Sequence, residues 1–280
     1  MFTLVTDSTC DLGVAELQRA DVRCVPLNIQ MQGRQYADWS ELDPDTLYQQ
    51  MKEGQQAQTV PPSVAAFMDV YQPLVQAGQQ VLSIHLSSQI SETITVARNA
   101  AAQLPGGDRV HHFDSGSASC QLAEYVLTAV RARDAGLTLE QTVAELERVR
   151  SEIYAEFCVT DLEYLRRGGR LSRSAELVGN LLGVRPVLGF QEGRITARRR
   201  VRASGAGQDI IRRMEQHFGQ TPLSVAVVHA GRDSERMQEL QAALRSSKLN
   251  IVRGRMQLMG CVIGAHVGPG TFGYLAVPTR

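Results

Sequence analysis

The chain has 280 residues, of which 43% are hydrophobic and 21% charged, with ten prolines. That composition excludes disordered and fibrous classes and gives enough chain for two domains with sizeable cores. Twenty-nine basic residues balance 29 acidic ones, so overall charge does not drive nucleic-acid binding.

Met1–Asp7 lacks a basic region and carries too short an apolar run for a signal peptide. No stretch reaches the roughly 18 apolar residues of a membrane span. Cysteines at 10, 24, 120, 158 and 261 are odd in number and form no Cys-x-x-Cys pair. Neither a disulfide framework nor a structural zinc site is expected, which fits a cytoplasmic location. Only Lys52 and Lys248 are lysine, and neither lies in Gly-Lys-Ser/Thr, so a Walker A loop is excluded. Residues 166–213 hold twelve arginines against three acids, a net charge of +9. That segment is either a face for an anionic partner or a solvated surface.

In chain order, Phe2–Val5 reads as a strand. A helix follows over 63–77, a strand over 81–86, a helix over about 91–104, a strand over 109–113 and a helix over 117–135. Such alternation predicts an open, mostly parallel α/β sheet. Thr138 and Gln141 form a capping-box pattern. Leu139, Val143, Leu146, Val149 and Ile153 continue it as an amphipathic helix over 139–153. Further strands are expected over 156–160, 187–190, 195–197, 223–228, 249–253 and 272–277, with a hairpin turn at Gln191-Glu192-Gly193 and helices over 206–218 and 233–245. The expectation is two α/β domains, 1–155 with a mostly parallel sheet and 156–280 with a mixed sheet.

Four polar turns carry the candidate chemistry. They are Thr6-Asp7-Ser8-Thr9, Thr59-Val60-Pro61-Pro62-Ser63, Ser87-Ser88-Gln89-Ile90-Ser91 and Asp114-Ser115-Gly116-Ser117. Each is read as leading from a strand end or loop into a helix, where free N–H groups favour an anion. Hydroxyls of Thr59, Ser87, Ser88 and Ser91 add neutral donors suited to one carboxylate or phosphate. Plain helix capping accounts for each turn singly. Gly260–Thr271 holds four glycines around His266 and reads as a loop that approaches a ligand or a tight turn. No metal set, Gly-x-Ser-x-Gly elbow, His-Glu-x-x-His pair or full dinucleotide fingerprint is present.

Thr6-Asp7-Ser8-Thr9-Cys10-Asp11-Leu12, Asp161–Ser172 with its Arg166-Arg167-Gly168-Gly169-Arg170 run, Val184-Arg185-Pro186-Val187-Leu188 and Gly264–Thr271 together resemble the DegV family of fatty-acid-binding proteins, in order along the chain. The resemblance implies a two-domain α/β fold that holds one long-chain fatty acid, such as palmitate, without a cofactor. It also implies presentation of the carboxylate to a separate ATP-binding subunit of a fatty acid kinase, which makes the acyl phosphate. By the same resemblance Thr59, Ser91 and His266 hold the carboxylate, Ser88 and Gly268 support it, and Arg170 and Arg202 dock the kinase. Where the family reads Thr-Ser-Gln-Pro-Ser and Ser-Gly-Thr, this chain has Thr59-Val60-Pro61-Pro62-Ser63 and Ser91-Glu92-Thr93. Brief contact with a membrane surface for lipid exchange is compatible with this reading. Nucleic acid is not an expected partner. Two alternatives stay open: a phosphotransferase or hydrolase using His266 as acid/base, and a binding module using the arginine-rich segment.

A saturated tail of about fifteen methylenes gains roughly 12 kcal/mol on burial, above the lower estimates of association cost. A buried carboxylate needs compensating donors, each worth about 1.5–3 kcal/mol. Such a tail belongs between layers of the first domain or between the two domains.

Overall fold

A computed structural model describes residues 2–171 and 183–279. Ser172, Arg173 and Glu176 of the basic segment lie outside the described residues. Strands β1 (Phe2–Asp7), β2 (Val22–Val25), β6 (Gln80–His85) and β7 (Val110–Asp114) form one sheet in the order β2-β1-β6-β7, all parallel. Leu4, Val81, Leu82 and Ile84 are buried because helices cover both faces. Helices α3 (Val64–Gln76) and α4 (Thr93–Ala102) place Phe67, Tyr71, Ala97 and Ala100 against Val5 and Val81. On the other face, α5 (Cys120–Asp134) and α6 (Leu139–Glu152) place Leu122, Val126 and Leu146 against Leu4, Leu82 and Ile84. The capping box at Thr138 and Gln141 is formed as expected, and Ser63 caps α3 through the Ala66 N–H.

The second half builds a mixed sheet from β8 (Tyr154–Cys158), β9 (Val184–Gln191), β10 (Arg194–Arg202), β11 (Leu223–His229), β12 (Ile251–Leu258) and β13 (Phe272–Pro278). Its order is β10-β9-β8-β13-β11-β12, with only β11 and β12 parallel. Glu192 and Gly193, both at positive φ (50° and 77°), close the β9–β10 hairpin. Helices α8 (Ala206–Phe218) and α9 (Ser234–Arg245) pack on one face, with Ile210, Met214 and Leu240 against Val225, Val227 and Tyr274. α7 (Glu163–Arg167) lies between β8 and β9 in the chain.

Residues 14–60 form elements that the sequence reading left out. After α1 (Val14–Arg19), β3 (Asn28–Met31), β4 (Arg34–Ala37) and β5 (Ala57–Val60) make a small antiparallel sheet, β4-β3-β5, with α2 (Pro44–Lys52) between β4 and β5 in the chain. Ile29 and Met31 are buried between exposed Gln30 and Gln32, a period-2 pattern too short to stand out. Leu27, Ile29, Met31, Leu47 and Met51 share one core with Val159, Leu165, Val228, Met259 and Val262, so this small layer ties the two halves together.

Two expectations are corrected. Thr59 is not in a turn that opens α3; it sits within β5, opposite Ile29 of β3. His266 is not on a loop either: Cys261–Val267 forms a short helix, α10, with His266 in its last turn. Gly264 lies inside that helix because of packing. A Cβ there would fall 2.5 Å from Tyr48 Oη, which donates to the Met259 carbonyl at 3.0 Å. Only Gly268 and Gly270 of this segment take positive φ (77° and 75°).

Candidate functional site

The polar turn after β1 is largely structural. Asp7, wholly buried, accepts from the Thr9 and Leu86 N–H groups and lies 3.0 Å from His85 Nδ1. His85 Nε2 in turn lies 2.7 Å from Ser83 Oγ, which is 2.7 Å from Tyr71 Oη. This aspartate–histidine–serine chain has no exposed member, so it serves as a buried polar network that joins β1 to β6.

A second buried acidic pair holds the start of α10. Asp11 Oδ1 accepts the Gly260 N–H at 2.9 Å and Asp38 Oδ1 accepts the Cys261 N–H at 3.0 Å. Ser119 donates to Asp11 Oδ2 at 2.6 Å. Asp11, Trp39 and Ser119 all have positive φ (56°, 65° and 55°), so backbone strain concentrates where three loops meet this helix. Burial pushes the Asp38 carboxyl up to about 7 and raises Asp11 as well. These residues were not singled out as site residues from sequence, since single Asp and Ser residues in turns read as caps.

An apolar void, partly open to solvent, lies between the two halves of the molecule. Only about 90 Å³ of it admits the centre of a water-sized sphere, so it is narrow. Its walls include Leu86, Ile90 and Ala118 from the first half and Phe157, Phe190, Ile195, Val262 and Ile263 from the second. Of the polar wall residues, Ser119 is engaged by Asp11 and Glu156 by Arg199.

Thr59, Ser91, Arg170 and His266 also line this void, so three residues expected to hold a carboxylate lie on one cavity. Thr59 Oγ and His266 Nε2 are 2.8 Å apart. Ser91 Oγ lies 2.9 Å from Thr93 Oγ and accepts the Thr93 N–H at 3.3 Å, leaving it at the start of α4. Arg170 is half-buried, donates from Nε to the Ile90 carbonyl at 3.1 Å and from Nη1 to the Gly168 carbonyl, and makes no ion pair among the described residues. Burial lowers its proton affinity. Burial, and then the Arg170 charge, lowers the His266 pKa to about 4, so the imidazole is neutral at pH 7. Thr59, Arg170 and His266 also border a polar surface cleft lined by Gln55, Gln58, Tyr164, Arg167 and Gly168. The three residues therefore stand between a greasy interior and an open polar face.

Other expected residues lie elsewhere. Ser88 is exposed, its N–H faces the Asp114 carboxylate at 3.3 Å, and it does not line the void. Ser87 is buried and donates to the Gly193 carbonyl at 2.8 Å. Gly268 sits against Tyr164: a Cβ would come 2.3 Å from the ring. Arg202 is exposed at the end of the edge strand β10, away from the void's lining. Arg170, read from sequence as a docking residue, is found on the cavity wall.

The arrangement can take a narrow apolar chain with a single anionic end. The void supplies the hydrophobic contact, and hydroxyls with the nearby Arg170 guanidinium, which makes no ion pair among the described residues, meet the charge. Among the described residues no cluster of three or more His, Cys, Asp or Glu side chains can hold a metal ion, and no helix is long and apolar enough to cross a membrane.

Comparison with known proteins places the sequence and the fold. A DegV domain-containing protein of Streptomyces coelicolor is 31% identical over 275 residues, with 96% of each chain covered. A Deinococcus radiodurans DegV domain-containing protein is 32% identical over 283 residues, with 98% of each covered. Among solved structures, a DegV family protein from Thermus thermophilus, described by its fatty acid binding, superposes with a TM-score of 0.91 at 34% identity and 99% coverage of both chains. DegV of Bacillus subtilis, described as a fatty acid binding protein, superposes with a TM-score of 0.86 at 27% identity, with 99% of each covered. The DegV family model matches residues 1–279, and the chain belongs to the DegV family.

Proposed function

We propose that this protein binds one long-chain fatty acid, with the tail in the void between its N-terminal domain (1–155) and C-terminal domain (156–280) and the carboxylate at Thr59, Ser91 and His266. The observation that carries this is the narrow apolar void that Thr59, Ser91 and His266 together help to line. Fatty acid binding by the similar Thermus thermophilus protein supports it. Arg170 adds positive potential at the same end, a contribution beyond neutral hydroxyls alone.

The protein is a carrier in this reading. It presents the carboxylate through the polar cleft to a separate ATP-dependent kinase subunit, which forms the acyl phosphate in the cytoplasm. Arg202 serves as a docking residue, as the sequence resemblance implies, whereas Arg170, implied there as well, lines the void. Thr59 and His266 are spaced like a nucleophile and a base, but among the described residues no third side chain orients His266 Nδ1, which favours a binding role.

The test combines titration and turnover. Delipidated protein should bind long-chain fatty acids one to one, and acyl phosphate should appear only when ATP and the kinase subunit are both added. Acyl phosphate formation, or hydrolysis of an ester, by the isolated protein would favour an enzyme with His266 as acid/base instead.

A further inference from the structure

We propose that Gly168 fixes His266 as the Nε2–H tautomer, and that His266 thereby turns the Thr59 hydroxyl proton toward the ligand. Gly168 is then a positioning residue of the head-group site. This rests on the reading that the carboxylate sits at Thr59.

The reasoning starts from the one proton that Thr59 Oγ owns. Thr59 Oγ and His266 Nε2 lie 2.8 Å apart, so either the hydroxyl donates to the ring or the ring donates to the hydroxyl. If the hydroxyl donates, only lone pairs face the cavity, and these repel a carboxylate. If Nε2–H donates, the hydroxyl proton stays free to meet the ligand. The choice between the two is made at Nδ1.

Nδ1 has no hydrogen-bond partner among the described residues, and the Gly168 backbone is pressed against it. A Cβ on Gly168 would come 2.4 Å from Nδ1 and 3.1 Å from Cε1. The Gly168 N–H is already committed to the Tyr164 carbonyl at 3.0 Å, and its carbonyl to Arg170 Nη1. A proton on Nδ1 would therefore face a C–H surface with no acceptor among the described residues, whereas a bare lone pair there leaves no unmatched donor. Burial, and then the nearby Arg170 charge, also disfavour an imidazolium carrying both protons. Gly168 itself has ordinary backbone angles (φ −70°, ψ −12°), so alanine fits its conformation and acts chiefly on the ring, with the Tyr164 carbonyl oxygen next at 3.3 Å.

The test reads the ligand-free protein first. Long-range 1H–15N spectra of histidine-labelled protein at pH 7, with His266 assigned by loss of its signals in His266→Gln, should show protonated Nε2 and bare Nδ1. In Gly168→Ala the ring must move, and the tautomer preference should weaken. The second arm is fatty acid affinity. His266→Gln keeps an N–H donor toward Thr59 and should bind about tenfold more tightly than His266→Leu, the worth of about one hydrogen bond to a charged group. A protonated Nδ1 in the wild type, or equal affinities for the Gln and Leu variants, would overturn the proposal. Protonated Nε2 in a protein that binds no fatty acid would support the tautomer assignment and remove the ligand reading.

Discussion

Replacing Thr59 with valine isolates the contribution of the head group. The two side chains have nearly the same shape, and valine suits β5, where Thr59 pairs with Ile29. The change deletes one hydrogen bond to an ionised carboxylate, worth about 1.5–3 kcal/mol, which corresponds to roughly a ten- to hundredfold weaker Kd. It also removes the 2.8 Å contact with His266. One unpaired ring nitrogen costs about 1 kcal/mol, so Tm should fall by only a few degrees. The assay is displacement of a fluorescent fatty acid, run beside a fatty alcohol of the same length. The alcohol has no charge, so its loss should be under about tenfold, the range of a neutral hydrogen bond. Unchanged fatty acid affinity, or equal losses for acid and alcohol, would refute the assignment of Thr59 as a carboxylate donor.

Three other outcomes follow from the same geometry. Ala118→Phe puts a ring into the void that Ala118 lines, and loss of room for about four methylenes should cost about 3 kcal/mol, or over a hundredfold in affinity for long chains by titration, with shorter chains spared. Asp38 is pushed up to about 7 by burial, so the folded state holds a proton that the unfolded state has lost, and stability should fall as pH rises from about 4 to about 7. Asp38→Asn keeps an acceptor for the Cys261 N–H and should flatten that fall, as followed by denaturant melts across the pH range. Arg202→Glu should lower acyl phosphate formation with the kinase subunit and leave lipid affinity unchanged, whereas Arg170→Glu should weaken lipid binding because Arg170 lines the void.

Much of the fold is legible because periodicity and punctuation agree. The runs at 2–5, 81–86 and 109–113, and the capped stripe at 139–153, mark strands and a helix that the structure contains with small shifts at their ends. The sheet at 28–60 is not legible, since its strands are four residues long and only β3 buries side chains, Ile29 and Met31, to announce it. The segment around His266 misleads because glycine is ambiguous in sequence. Gly264 is needed for the close approach of Tyr48, not for a turn, and that reason exists only in three dimensions. Thr59, Ser91 and His266 are nameable from motif resemblance, and the structure brings them to one cavity. The cavity wall draws single residues from many elements, so no local pattern encodes it. The position of Arg170 shows the same limit: a guanidinium in a polar run gives no sign of whether it faces a partner or a pocket.

Native mass spectrometry of the protein, purified without added lipid from cells that make long-chain fatty acids, tests the central claim most directly. The account predicts a single added mass equal to one such acid, reduced or lost when Thr59→Val is combined with Ser91→Ala. Protein that is consistently bare, and that stays bare after incubation with fatty acids, would contradict it.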